Sequence, residues 1–258
     1  MKNKYAVITG ASAGIGACFA RRLAKEGYPL VLVARREERL QELAKELETE
    51  CKIIVCDVSK TEECIRLMNE IKELPIEVFI NNAGFGDCGQ WIYGNLDKQL
   101  DMVDVNVKAV HTLMKLALLQ MEKDNEGYIL NVGSSAGLIP AGPYMATYYA
   151  TKAYVVSLTE AVAKELKDAG SRIYVGCLCP GPVDTEFNRV ANVTFALKGI
   201  SADYCANYAI DKMFRRKRVI VPTWYLRIAL TLGRFLPRKL YIAIAGMQQK
   251  KKIYGARK

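Results

Sequence analysis

The chain has a single histidine, His111, in 258 residues, and its eight cysteines include no Cys-x-x-Cys pair. A metal centre built from thiolates and imidazoles is therefore not expected, and no metal ligand is assigned. The cysteines are scattered, some inside apolar runs such as "YVGCLC", as expected for buried free thiols in a reducing cytoplasm. No uncharged apolar run approaches the ~18 residues of a membrane span. The start of the chain lacks the basic and apolar regions of a signal peptide, so the expected location is cytoplasmic. Acidic residues are missing from one end. From Lys212 to Lys258 there are 14 Lys/Arg and no Asp or Glu, whereas residues 1–211 hold 23 Lys/Arg against 27 Asp/Glu. The net charge of +10 thus belongs to the tail.

What is present is a regular alternation. Short apolar runs ("KYAVITG", "PLVLVA", "CKIIVCDV", "EVFINNAG", "GYILNVGSS", "RIYVGCLCPG") alternate with helical patterns, among them 37–48, 61–73, 97–123 and 147–168. The runs are continuously apolar, which points to strands buried on both faces of a parallel sheet. Strand–helix alternation with short links predicts a single α/β domain with a doubly wound parallel sheet. Residues 1–222 make up this domain, and residues 223–258 form a basic amphipathic extension of it.

The first motif, "TGASAGIG" at 9–16, lies where a strand hands over to a helix. Gly10, Gly14 and Gly16 permit a tight turn, and the helix N-terminus offers free N–H groups and a positive dipole to a phosphate. The position favours dinucleotide binding over a plain turn. The second strand ends "VLVARREERL", with no acid to hold a ribose 2′-OH. Arg35 and Arg36 suit a 2′-phosphate instead. Two cations at a helix N-terminus oppose its dipole, and an anionic ligand explains them. The expected cofactor is NADP(H) rather than NAD(H).

The stretch "YMATYYATKA" holds three tyrosines and a lysine. A free phenol, pKa ~10, is a weak base at neutral pH, and a nearby ammonium lowers that value. Tyr148 and Lys152 lie one helical turn apart on one face. Tyr144 lies a further turn back, near Pro143. Tyr149 is rotated about 100° and reads as packing.

Together "TGASAGIG", "NNAG" at 81–84, Asn106 in "VDVNV", "NVGSSAG" at 131–137, "YYATK" at 148–152 and "PGPVDT" at 180–185 resemble the short-chain dehydrogenase/reductase family, over roughly residues 4 to 222. The resemblance implies a Rossmann-type fold and roles position by position. Tyr148 matches the catalytic acid/base, and Lys152 the lysine that lowers its pKa and holds the nicotinamide ribose. Asn106 matches the asparagine supporting a proton relay through a water and the lysine. Ser134 and Ser135 are adjacent, and the family's spacing of thirteen residues before the tyrosine selects Ser135 as the group that binds the substrate oxygen. Gly10, Ser12, Gly14, Ile15 and Gly16 match the phosphate turn, and Asn82, Ala83 and Gly84 the segment lining the cofactor. Asp57 and Val58 match the adenine contacts, and Pro180, Gly181, Val183 and Thr185 the carboxamide clamp. One departure is Ala13, where many NADP-preferring members carry a basic residue. The implied activity is NADP(H)-dependent interconversion of a ketone and a secondary alcohol by a homodimer or homotetramer. The alternative is an NADP(H)-sensing regulator without turnover.

The expected substrate walls, "AGLIPAGPYM", "FGDCGQW" and 186–205, are mostly apolar and suit a hydrophobic carbonyl or alcohol, hydroxysteroid-like or long-chain 3-oxoacyl. In the tail, Trp224, Tyr225, Ile228 and Leu232 follow helical spacing, and Pro237 should split the segment into two helices. Residues 212–258 read either as a peripheral contact with an anionic membrane or as a cap on the pocket or a subunit interface. No nucleic-acid recognition module is present. His111 is assigned no catalytic role.

Overall fold

Strand β2 (Leu30–Ala34) is buried at all five positions and β1 (Tyr5–Thr9) at four. Side chains leave a strand on alternate faces, so an unbroken apolar strand needs cover on both sides. The structure, a computed structural model describing residues 2–187 and 199–254, supplies it. Leu30 and Leu32 pack in one core with Phe19 and Leu23 of α1 (Gly14–Lys25) and Leu40 of α2 (Glu37–Glu46). Val31 and Val33 pack in a second core with Leu67 of α3 (Thr61–Glu70) and Leu113 of the helix leading to β5.

The other strands are β3 (Cys51–Val55), β4 (Ile76–Asn81), β5 (Gly127–Val132), β6 (Ile173–Leu178), β7 (Val183–Asp184), β8 (Ile200–Ser201) and β9 (Val219–Ile220). The main sheet has the order β3-β2-β1-β4-β5-β6-β9, and its paired strands are all parallel. β7 and β8 pair separately. The chain steps outward from β1 to β3, then returns to place β4 on the other side of β1. That reversal opens a crevice between the loops leaving β1 and β4, at the carboxyl ends of the strands.

The expected 97–123 helix is interrupted. α4 (Leu96–Val103) and α5 (Val110–Glu122) are joined by a π-helical segment, Asp104–Ala109, with Asn106 inside it. α6 (Ala146–Asp168) starts one residue before its expected position, and α7 (Ala202–Phe214) covers the α1 face of the sheet. The tail forms α8 (Trp224–Gly233) and α9 (Arg238–Tyr254), parted at Pro237 as its missing N–H requires. α9 folds back over the segment after β5. Its Gln249 Nε2 donates to Tyr149 Oη at 2.6 Å, and Arg238 Nη2 donates to Pro140 O at 3.4 Å. Among the described residues no helix is long and apolar enough to cross a membrane.

Candidate active site

The crevice is tied together by the end of β1. The Thr9 hydroxyl accepts from Asn82 N at 3.0 Å and Ala83 N at 3.1 Å, and Asn82 Nδ2 donates to Thr9 O at 2.9 Å. Gly10 turns here with φ +66, and a Cβ on it would lie 2.9 Å from Ala83 Cα. A Cβ on Gly16 would run into the Gly10 carbonyl. Gly14 lies under Thr185, 3.3 Å from the methyl to a would-be Cβ. The first turn of α1 has no side-chain cap and no acidic residue. A backbone cradle of this kind, with its amides uncapped, fits a pyrophosphate. Ile15 packs partly into the core below it.

At the end of β2, where Arg35 and Arg36 were expected to meet an anion, Arg36 and Arg39 are both engaged. Arg36 Nη2 donates to Ser12 Oγ at 3.2 Å and its Nη1 to Glu186 Oε2 at 3.2 Å. Arg39 Nη1 donates to both Glu186 oxygens, at 2.9 and 3.0 Å. Arg39 and then Arg36 hold the Glu186 carboxyl below its usual range. The nest of Ser12, Arg36 and Arg39 therefore already grips an anion, and its donors suit a phosphate. Arg35 is exposed at the strand end and is not part of this nest. Arg39 was not singled out from the sequence, although it stands three residues after Arg36, in the first turn of the helix that Arg36 precedes.

After β3, Asp57 is engaged by its own loop. Its Oδ1 accepts from Ser59 N at 3.1 Å and Ser59 Oγ at 2.9 Å. Val58 is buried in the core beneath α3. After β6, Pro180 O accepts from Ser135 N at 2.8 Å, Gly181 packs against Leu226 of α8, and Val183 is buried.

At the end of β5 the two adjacent serines are placed differently. Ser134 is the last extended residue, and a 3-10 turn begins at Ser135. The Ser134 hydroxyl accepts from Ala136 N at 3.1 Å and stands near enough to the Tyr148 phenol to draw its proton affinity down. The backbone N–H of Ser135 donates to Pro180 O across the turn. The geometry thus favours Ser134, and the chain spacing Ser135, as the serine that works with Tyr148.

Lys152 is buried, and its Nζ donates to Val132 O at 2.8 Å while lying 5.9 Å from the Tyr148 ring centre. Asn106 is fully buried. Its Nδ2 donates to Phe85 O at 2.8 Å and to Thr151 Oγ1 at 3.2 Å, and its Oδ1 accepts from Phe85 N at 3.1 Å. A Cβ on Gly84 would lie 2.9 Å from Asn106 Oδ1 and 3.3 Å from Lys152 Nζ, so both converge on this glycine. π-turns of this kind recur at functional sites.

Burial sets the proton affinities. It pushes the Tyr148 phenol up to about 12, with the Ser134 hydrogen bond pulling the other way. It lowers Lys152 to about 8. Desolvation is the largest influence on the phenol and acts against the lowering expected from the lysine. The result is a phenol that keeps its proton at neutral pH beside a lysine that titrates near it.

The remaining tyrosines separate clearly. Tyr149 is buried and bonded to Gln249, as packing requires. Tyr144 lies before α6 with φ +67, its carbonyl accepting from Gly89 N at 2.8 Å. His111 Nδ1 lies 2.6 Å from Tyr154 Oη. Beside Tyr148 is an apolar wall of Ala136, Ile139, Met145, Tyr149, Cys88 and Phe187, with the Tyr148 and Phe187 rings 5.6 Å apart. It draws on all three segments expected to line the pocket, of which 188–198 lies outside the described residues.

The chain is similar to known proteins in sequence and in fold. The sequence model described as short chain dehydrogenase matches residues 4–196. A very-long-chain 3-oxoacyl-CoA reductase of Kluyveromyces lactis is 38% identical over 178 residues, 64% of this chain and 51% of that protein, so the chain spans about half of that relative. Hydroxysteroid dehydrogenase-like protein 1 of Gallus gallus is 30% identical over 247 residues, 92% of this chain and 73% of that protein. The structure of a short-chain dehydrogenase from Sphingobium yanoikuyae in complex with NADPH superposes with a TM-score of 0.80 at 29% identity, covering 90% of this chain and 93% of that one.

Proposed function

Since the chain belongs to the short chain dehydrogenase family, we propose that it is an oxidoreductase that uses NADP(H) to interconvert an apolar ketone and a secondary alcohol. The convergence of Ser134, Tyr148, Lys152 and Asn106 beside the glycine cradle carries this reading. The cradle at 10–16 would hold the pyrophosphate, and Ser12, Arg36 and Arg39 the 2′-phosphate. The cofactor supplies the hydride when bound. Tyr148 holds a proton at neutral pH and gives it to the substrate oxygen as charge develops there, or takes it back in the reverse direction. Ser134 donates a hydrogen bond to that oxygen and stabilises the same charge. Lys152, lowered to about 8, exchanges a proton near neutrality, and Asn106 fixes the loop on which Gly84 and Phe85 lie.

The wall of Met145, Tyr149, Ile139 and Phe187 supports an apolar substrate. Oxo-steroids and long-chain 3-oxoacyl thioesters are the two classes to offer, in keeping with the names of the relatives. The test measures consumption of NADPH and of NADH over both classes, with wild type and Tyr148→Phe. NADPH-selective turnover that Tyr148→Phe loses at least a thousandfold, with NADPH binding retained, is the expected result. Turnover surviving in that variant sinks the assignment.

A further inference from the structure

A cavity of about 400 Å³ lies between the end of α7, β9 and α8. Five cations line it: Lys212, Arg215, Lys217, Arg227 and Arg234. Apolar side chains of β9 and Leu230 also line it, and among the described residues no carboxylate does. The acid next in sequence, Asp211, is engaged elsewhere by Arg22 at 2.6 Å. Arg227 is set in place by Tyr208 Oη at 3.0 Å and Val221 O at 3.4 Å, and Lys212 lies over the Tyr208 ring at 5.1 Å. Like charges gathered without an acid repel one another, and a bound anion relieves that repulsion. A concave basic site of this size takes a phosphate ester.

What adjoins the cavity decides which phosphate. Arg227 and Arg234 are seven residues apart on α8 and its C-cap, and share the cavity side of the helix. A neighbouring stripe carries Trp224, Ile228, Leu232 and then Phe235, which are 69%, 52%, 62% and 83% exposed. Large apolar side chains in water beside a basic cavity match the boundary between lipid headgroups and acyl chains. The segment from Lys212 to Lys258 carries no acid to oppose an anionic surface. α8 is too short to span a bilayer and would lie along it.

We propose that this end of the molecule docks on anionic phospholipid, with a lipid phosphate in the five-cation cavity and the Trp224–Phe235 stripe in the headgroup layer. The proposal stands independently of the reductase reading. It joins two regions, because Leu226 of the same helix packs on Gly181 in the loop after β6.

The test is flotation of the full chain with phosphatidylcholine vesicles, with and without phosphatidylserine. Binding should require phosphatidylserine and reverse at high salt. Lys217→Gln with Arg234→Gln should weaken it about 25-fold, roughly fivefold per charge. Trp224→Ser with Phe235→Ser should weaken it as well. Both double variants should keep the wild-type subunit number and melting temperature. Equal binding to neutral vesicles, or none to either, overturns the proposal. A changed subunit number in the Trp224/Phe235 variant would instead make the stripe a contact between copies. Stabilisation by inorganic phosphate that needs Lys217 and Arg234, without vesicle binding, would make the cavity a site for a free phosphate and overturn the lipid assignment.

Discussion

Lys152 should make the cofactor-free protein gain stability as pH rises from about 8 towards 10.5, and Lys152→Met should abolish that gain. The amine is buried, with burial as the largest cause of its lowered proton affinity. In the unfolded chain it titrates at its ordinary value of 10.5, and in the folded chain at about 8. Below pH 8 both states hold the proton, and the folded state carries the full cost of a desolvated cation. Between the two values only the unfolded chain binds the proton, so stability rises with pH. Each pKa unit is worth 1.36 kcal/mol, which makes the full rise about 3 kcal/mol, roughly three-quarters of it complete by pH 10. Methionine keeps the length of the stem and removes the titration. It also loses the bond to Val132 O, a constant penalty of about 1–3 kcal/mol that shifts the profile without tilting it. The assay is urea unfolding of both proteins from pH 7 to 10, read as the difference between their profiles so that other titrating groups cancel. In a thermal melt each 1 kcal/mol corresponds to about 2–4 °C in a domain of this size. Parallel profiles would refute the reasoning, because they would mean that the Lys152 amine is hydrated and not separated from Tyr148 by desolvation.

Ser134→Ala should lower kcat about 10²- to 10³-fold, as loss of a hydrogen bond to developing charge does, while Ser135→Ala stays within a few-fold. Steady-state kinetics on the pair decides between the two serines, and the opposite ranking would restore the spacing argument. Arg39→Ala should weaken NADPH binding about 10- to 100-fold and leave NADH binding unchanged, while Glu186→Gln should strengthen NADPH binding by releasing both arginines. Calorimetric titration of each variant with both cofactors checks this, and equal effects on NADH would place Arg39 outside the 2′-phosphate site. Gly16→Ala should abolish cofactor binding of either kind, because its Cβ meets the backbone carbonyl of Gly10 rather than a side chain able to move. Retained affinity in that variant would show that the turn is not the cradle.

Much of the architecture could be read from the chain because its signals are local. An apolar run such as "PLVLVA" has one stable placement, between two helical layers, and the structure puts Leu30 and Leu32 in one core and Val31 and Val33 in the other. Pro237 parts α8 from α9 for an equally local reason. The π-segment around Asn106 lacks such a mark. Inserting one residue into a helix changes which side chain faces inward but not the composition, and only the bonds to Phe85 and Thr151 reveal it.

The site was legible in its residue types and less so in its neighbours. Tyr148 and Lys152 follow from one helical turn. The choice between Ser134 and Ser135 depends on where a 3-10 turn begins, which no count along the sequence contains. Arg39 was readable, since it stands in the first turn of the helix that Arg36 precedes. Its partner Glu186 comes from the far side of the crevice, 147 residues on. That long-range contact gives the arginine nest its meaning: one carboxylate from the loop after β7 already occupies the place of an anion. On the proposed assignment a cofactor phosphate arriving there would displace Glu186, so cofactor selectivity and the position of that loop would be set at the same two guanidinium groups.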